Sequence, residues 1–244
     1  MYIPKAFEVT DEAKQFDLIR ENPLGVLFSY APESNGILGY FKPADAFASM
    51  CATHVPFVIV KTDEGKSRLV THIAKNNKHA DFLEKQNDCM VVFQGPSNYI
   101  SPSWYPLKKK THKFVPTYDY SAVHIYGKAK VIRGDKRWLL EMLNAVTDQE
   151  EGKRPDGDEY EEKWAVSDAP ADLIDAKMNN IVGVEIEIER METQFKAHQN
   201  QHPINVEGVA ENLPKECGEK GKSLADFMLQ EYPRKDELQA PSSN

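Results

Sequence analysis

The clearest structural pattern in the sequence is a strict alternation of side chains from Ile181 to Glu189. Successive side chains of a β-strand point to opposite faces of its sheet. One set of positions here is apolar and the other is polar or small, so the pattern predicts a strand with one buried and one solvated face. The apolar set is Val182, Val184, Ile186 and Ile188, and the other is Gly183, Glu185, Glu187 and Glu189.

Five further segments are rich in β-branched or aromatic residues and are also predicted to be strands. They are Leu24–Tyr30, Val55–Lys61, Arg68–Ile73, Cys89–Phe93 and Ala122–Ile132. Capping residues and apolar spacing predict helices between some of them. These helices are residues 10–22, Lys78–Gln86, Asp135–Thr147 and Pro170–Asn179. Six short strands with few helices favour a small barrel over a doubly wound sheet.

Charge and cysteine content exclude several classes of protein. Lys and Arg number 30 against 38 Asp and Glu, and the formal net charge of -8 opposes direct binding to nucleic acid. The cysteines Cys51, Cys89 and Cys217 are far apart and form no C-x-x-C motif. They favour reduced thiols over a disulfide framework or a zinc ribbon. No apolar run approaches the ~18 residues of a membrane span. We therefore expect a cytoplasmic protein without a membrane or nucleic-acid partner.

The loops that define several enzyme folds are missing. No G-x-G-x-x-G follows a strand, and neither a P-loop nor a G-x-S-x-G motif occurs. His198 and His202 are four residues apart, but Asn200 and Pro203 argue against the helix that would bring them to one metal ion. We assign no metal site and no catalytic residue.

Two polar segments beside predicted strands are candidates for a phosphate-binding site. In Ala52–Phe57, a hydroxyl and backbone N–H groups could bind an anion. Residues 71–77 lead from a strand towards a helix start, where free N–H groups attract anions and a lysine adds charge. A polar turn, a core histidine and a solvated lysine are the structural alternatives. The candidate residues are Thr53, His54, Thr71, His72 and Lys75.

A third candidate is the aromatic, proline-rich segment Tyr99–Pro106, which suits a small-molecule pocket. Its candidate ligand-binding residues are Ser101, Ser103 and Trp104, and a rigid loop covering a barrel end is an equal alternative. The lysine run in Lys108–Lys113 could contact phosphate, but in an acidic chain such a run is more often a solvated loop.

These segments, in this order, resemble the PaiB-like family, which is described as FMN-binding negative transcriptional regulators. The resemblance extends from residue 1 to about residue 213, and the string Tyr99–Tyr105 is its most specific part. The matching segments are 1–4, 52–57, 72–77, 93–96, 99–105, 115–118, 123–127, 181–186 and 199–200.

The resemblance implies a fold, a cofactor and an assembly. The fold is α+β and mainly β: a six-stranded FMN-binding split β-barrel with peripheral helices, as in pyridoxamine-phosphate-oxidase-like flavoproteins. Such proteins usually form homodimers with FMN between the subunits. Thr53 and His54 fall where a strand borders the flavin, and His72 matches a family histidine. Lys75 falls where a basic residue takes the flavin phosphate; the family more often has arginine there, so the bidentate fork is lost.

The resemblance also divides the chain. Residues 1–213 are expected to form the split-barrel FMN-binding domain, and residues 214–244 a helical appendage with a disordered tail. Ser223–Asp226 resembles the start of the appended helix. The connection from Ala31 to Cys51 is longer than expected, and an Asp-Arg pair that usually follows Gln199-Asn200 is absent.

Three functions remain open. The first is a flavin-binding protein, with flavin-dependent oxidoreductase activity as one form of it. The second is a haem-binding or haem-degrading split barrel, with His54, His72 or His124 as candidate iron ligands. The third is a regulator without enzymatic activity. Because the chain is acidic and has no convincing helix-turn-helix, such a regulator would act through metabolism or a protein partner.

Overall fold

The computed structural model describes residues 1–30 and 49–232. Within them the chain forms one seven-stranded sheet and six α-helices. The strands are β1 (Leu24–Tyr30), β2 (Met50–Pro56), β3 (Val58–Lys61), β4 (Ser67–Ala74), β5 (Asp88–Ile100), β6 (Thr117–Ile132) and β7 (Ile181–Lys196). The helices are α1 (Glu12–Glu21), α2 (His79–Lys85), α3 (Lys108–Thr111), α4 (Lys136–Glu151), α5 (Ala171–Met178) and α6 (Pro203–Glu231). Most of the expected insertion after Ala31, and the predicted disordered tail, lie outside the described residues.

The order of the strands shows that the sheet curls back on itself. The order is β2-β1-β5-β6-β7-β4-β3, so β2 and β3 are the two ends of the sheet. Only Phe57 separates these strands in sequence, and one residue spans at most about 3.6 Å. The two ends of the sheet therefore meet at Phe57, as in a barrel. Thr71 of β4 supports this closure, because its hydroxyl donates to the Pro56 carbonyl oxygen at 2.6 Å.

The single strand predicted over Val55–Lys61 is wrong, and the sheet has seven strands rather than six. Propensity is high on both sides of Pro56, but a proline has no N–H to continue a ladder. The next N–H, of Phe57, donates to the Pro23 carbonyl oxygen at 2.9 Å. The Phe57 side chain is fully buried and meets the Phe93 ring edge-on, with 5.6 Å between centroids. Phe57, the residue that joins β2 to β3, is therefore part of the hydrophobic core.

The chain forms two compact units. The second unit consists of Ile19–Phe93 and His124–Met191, and the first of Met1–Leu18, Gln94–Val123 and the chain from Glu192 onward. Strands β5, β6 and β7 each contribute residues to both units. The fully buried core of the second unit includes Leu27, Leu69, Val91, Ile125 and Ile186. In the first unit, helix α6 packs Val209, Leu213, Leu224 and Met228 in one cluster with Trp104.

Helix α6 begins at Pro203, and the helix predicted to start at Ser223 corresponds to its second segment, which follows a kink at Gly218. Proline suits the first turn of a helix, and the side chain of His202 caps it by accepting the Ile204 N–H. Gly218, at φ 60 and ψ -145, marks a kink inside the helix. None of the helices in the described part of the chain has the length and apolar character needed to cross a membrane.

Candidate functional site

A closed hydrogen-bond network in the second unit surrounds His79, which is fully buried. Its Nδ1 lies 2.7 Å from the Thr53 hydroxyl and its Nε2 lies 2.9 Å from the Ser29 hydroxyl. Asn77 completes the network: its Oδ1 accepts the His79 N–H at 2.9 Å, and its Nδ2 donates to the Thr53 hydroxyl at 3.4 Å. Burial lowers the pKa of His79 to about 4, so the ring is neutral at physiological pH. The network fixes the Thr53 hydroxyl in place.

Lys75 lies two residues before Asn77, in the turn between β4 and α2. Its backbone N–H donates to the Asn180 carbonyl oxygen at 2.9 Å, which anchors the turn. The side chain is exposed, and its ammonium forms no ion pair or hydrogen bond with any described residue. An anchored turn thus presents an unpaired positive charge to solvent.

The free N–H groups expected at the start of α2 are not there. The His79 and Ala80 N–H groups bond to Asn77, through its side chain and its carbonyl oxygen, and those of Asp81 and Phe82 bond to the Lys78 carbonyl oxygen. Any anion at this turn would therefore be bound by side chains rather than by the helix terminus.

The structure separates the other candidate residues of this unit. His54 follows Thr53 on β2, so it points to the opposite face of the strand, where it is exposed. The Thr71 hydroxyl is fully buried and committed to the Pro56 carbonyl oxygen. His72 is partly buried, and its Nδ1 has no partner among the described residues. Of these sequence-predicted residues, only Thr53 belongs to the hydrogen-bond network of His79 and Asn77, which adjoins the turn that carries Lys75.

The face of β1 and β2 that bears His54 is apolar and open. Leu24, Phe28 and Tyr30 alternate along β1 and are 62%, 37% and 55% exposed, and Met50 on β2 is 62% exposed. The register places Tyr30 opposite Met50 and Phe28 opposite both Ala52 of β2 and Met90 of β5. Adjacent exposed apolar side chains of this kind mark an interaction surface.

Ser101, Ser103 and Trp104 lie in the first unit. The Ser101 hydroxyl accepts the Ser103 N–H at 3.2 Å and caps a short 3₁₀ turn, Pro102–Trp104. Trp104 is buried against α6. The packing is close at Gly208, because a β-carbon there would lie only 2.4 Å from the Trp104 carbonyl oxygen. Trp104 and Ser101 therefore have structural roles here, whereas Ser103 is exposed.

Sequence patterns did not reveal His79 or Ser29. They are 50 residues apart, and no local spacing connects them. The one available hint is the Asn77 side chain before the helix, because asparagine is a frequent cap.

The two ends of the sheet meet at Phe57, and several helices accompany the sheet. This arrangement belongs to the class of split β-barrels. A solved structure of a conserved hypothetical protein from Mycobacterium tuberculosis shares the fold, with a TM-score of 0.51 and 14% identity over 83% of this chain and 94% of that chain.

The family described as "Putative FMN-binding domain" matches residues 1–190, and the chain belongs to this family. Protease synthase and sporulation protein PAI 2 of Bacillus subtilis is 31% identical over 228 residues, which are 93% of this chain and 96% of that protein. An uncharacterized protein of Saccharomyces cerevisiae is 49% identical over 166 residues, 67% of this chain and 98% of that protein. The resemblance to the PaiB-like family is thereby confirmed.

Proposed function

We propose that this protein binds FMN and that Lys75 binds the FMN phosphate. The observation that carries the proposal is the free ammonium of Lys75 in a turn that Asn77 ties to Thr53 and His79. Membership of the FMN-binding domain family supports the choice of ligand. An ammonium and a hydroxyl both donate hydrogen bonds to phosphate oxygens, and Asn77 connects the turn that carries Lys75 to Thr53.

The protonation of His79 determines what Thr53 can do. A neutral imidazole has one donor and one acceptor nitrogen. If Nδ1 donates to Thr53 and Ser29 donates to Nε2, the Thr53 proton is free for a phosphate oxygen. The opposite tautomer would turn that proton inward. In the first tautomer His79 is a positioning residue that leaves Thr53 as a donor, and it does not itself touch the ligand.

The assembly is a homodimer in this proposal. The open apolar face formed by Leu24, Phe28, Tyr30 and Met50 supports it, because a second copy would remove these side chains from water. Two-fold symmetry is the commonest arrangement for such self-association. The free thiols of Cys51, Cys89 and Cys217 support a reducing compartment such as the cytoplasm.

Bound flavin would supply hydride or electron transfer, and the protein would supply binding and orientation. An oxidoreductase and a regulator that senses flavin or redox state would share this binding site. The net charge of -8 favours regulation without direct DNA contact.

Haem is the second candidate, because the Nδ1 atoms of His72 and His124 have no hydrogen-bond partner among the described residues. Both atoms are buried, and burial lowers the pKa of both histidines. These enclosed Nδ1 atoms could reach an iron atom only if their strands moved, which leaves the Nε2 atoms as the candidate ligands.

The absorption spectrum of the purified protein, before and after equilibration with FMN and with haem, tests the proposal. We expect a stoichiometric flavin spectrum after FMN addition and gel filtration, and no stable Soret band after haem addition. A stable haem complex together with no retained FMN would overturn it.

A further inference from the structure

A cavity of about 450 Å³ lies within the first unit. Its size is in the range of small-molecule sites, roughly 300–1,000 Å³. Its lining combines aromatic side chains, amides, two lysines and a buried acid–histidine–tyrosine chain, none of which takes part in the flavin site proposed above. The residues that matter for its chemistry are Tyr105, Lys113, Asp119, Lys196, His198 and Asn200.

The buried chain consists of Asp119, His198 and Tyr105. Nδ1 of His198 is hydrogen-bonded to the Asp119 carboxylate, and its Nε2 lies 2.8 Å from the Tyr105 hydroxyl. All three side chains are at least 95% buried. His198 has a left-handed backbone with φ 63, which is uncommon for a residue other than glycine. Such outliers concentrate at functional sites.

The charge of the lining favours an anionic ligand. Lys113 forms no ion pair or side-chain hydrogen bond with the described residues, and neither does the side chain of Asn200. Both carry N–H donors. The buried negative charge of Asp119 is offset by Lys196, whose Nζ lies 3.8 Å from Oδ1. Phe7 and Phe114 give the cavity apolar walls.

With Asp119 ionised and His198 in a neutral form, donor and acceptor rules fix the positions of the protons along this chain. An ionised carboxylate only accepts, so Nδ1 of His198 carries a proton, and Nε2 of the neutral ring must accept from Tyr105. The Tyr105 proton then points inward, and only its lone pairs are left for a ligand. If His198 gains a second proton, Nε2 becomes a donor and the tyrosine proton is free to bind an anion. Burial and the nearby Asp119 raise the pKa of Tyr105 to about 12, so it keeps that proton.

We propose that this cavity is a second ligand site, for a small carboxylate with an apolar body, and that binding brings one proton onto His198. Lys113 attracts the carboxylate, and Tyr105 donates to it once His198 is protonated. The titratable groups that line the cavity are Tyr105, Lys113, Asp119, Lys196 and His198. Among them, only His198 gains a proton in this mechanism, and Tyr105 redirects the proton that it already holds.

Calorimetry on the full chain with benzoate as the probe tests the proposal. Benzamide has nearly the same shape without the charge, so it should bind at least tenfold more weakly. Titrations at one pH in HEPES and in Tris, which differ in ionisation enthalpy, should report uptake of one proton. Equal binding of benzoate and benzamide, binding without proton uptake, or no binding of benzoate would overturn the proposal.

Variants locate the site. Lys113→Met should weaken benzoate binding about tenfold, the lower end for a charged hydrogen bond. Lys109→Met, an exposed lysine of α3 outside the lining, is the matched control and should change nothing. Tyr105→Phe should remove the proton uptake. His198→Asn should do the same, and asparagine tolerates the left-handed backbone, so it guards against misfolding. Persistent proton uptake in both variants would contradict the assignment.

Discussion

The Thr53 hydroxyl lies 2.7 Å from Nδ1 of His79, a histidine whose side chain has no exposure to solvent. On the other side of the ring, the Ser29 hydroxyl lies 2.9 Å from Nε2 of His79. Protonation of this ring would make both hydroxyls acceptors and would place a positive charge in a site without access to solvent, which burial disfavours. This network therefore couples the stability of the second unit to pH.

Stability should fall as the pH drops below about 6.5. Burial lowers the pKa of His79 to about 4, so between these values the unfolded chain binds a proton that the folded chain does not. Stability is complete above the unfolded pKa, and up to roughly 3 kcal/mol is lost as the pH falls towards 4. Chemical denaturation at about pH 7 and about pH 5 measures this slope.

His79→Gln should be less stable at neutral pH and should show a shallower slope. His112→Asn is the matched control, because His112 is exposed away from this network and asparagine tolerates its left-handed backbone, and it should leave the slope unchanged. Some slope should remain in His79→Gln, since burial also lowers the pKa of His72 and His124. An unchanged slope in His79→Gln would mean that the ring is not held neutral as described.

Phe28→Asp should convert the proposed dimer into a folded monomer. Phe28 lies in the middle of the open apolar face, opposite Ala52 and Met90, so a carboxylate there would be buried unpaired in a dimer. Leu173→Asp, on an exposed leucine of α5, is the control and should remain dimeric. Light scattering gives the mass and circular dichroism the fold. A monomeric wild type at micromolar concentration would contradict the dimer.

Gly127→Ala should destabilise the sheet more than Gly65→Ala. A β-carbon on Gly127 would lie 2.1 Å from the Glu187 carbonyl oxygen of β7, and backbone atoms in a sheet cannot move away freely. We expect about 2–3 kcal/mol or more, as for severe overpacking. Gly65 has φ +78 and open space around it, so its substitution should cost only about 1–2 kcal/mol. Urea denaturation of both variants checks the order, and equal losses would contradict it.

Local pattern was enough for much of the secondary structure. β1 has the predicted bounds, and β7 begins at the predicted residue because Ile181 starts an uninterrupted alternation. The local pattern did not predict the break at Phe57. Strand propensity is high on both sides of this residue, and only the pairing of β2 and β3 with different strands shows that the chain turns here. The local pattern also missed the segment of α6 that precedes the kink at Gly218, because Pro203 was taken as a helix breaker rather than as a first-turn residue.

The residues of the candidate sites were also only partly predictable from the sequence. Lys75 could be placed from sequence because its turn lies between a strand and a helix that local composition predicts. His79, Ser29, Tyr105, Asp119 and His198 could not be grouped, since their contacts join residues 26 to 93 positions apart. Hydrogen bonds over such separations depend on the topology of the sheet, and no periodic pattern records them.

Variants at position 75 test whether Lys75 binds the phosphate of FMN, as proposed. The variants to compare are Lys75→Ala, Lys75→Arg and, as a matched control, Lys85→Ala, an exposed lysine at the end of α2. A contact with a charged group contributes about 1.5–3 kcal/mol, or roughly a tenfold to hundredfold change in affinity. Arginine can bind phosphate through two hydrogen bonds, so Lys75→Arg should keep or improve affinity. Riboflavin has no phosphate and should bind all four proteins equally.

Fluorescence titration of wild type and Lys75→Ala with FMN and with riboflavin is the most direct measurement. The predicted result is a tenfold to hundredfold loss of FMN affinity in Lys75→Ala, with riboflavin affinity unchanged. Equal FMN affinity in the two proteins would contradict the assignment of Lys75 to the phosphate.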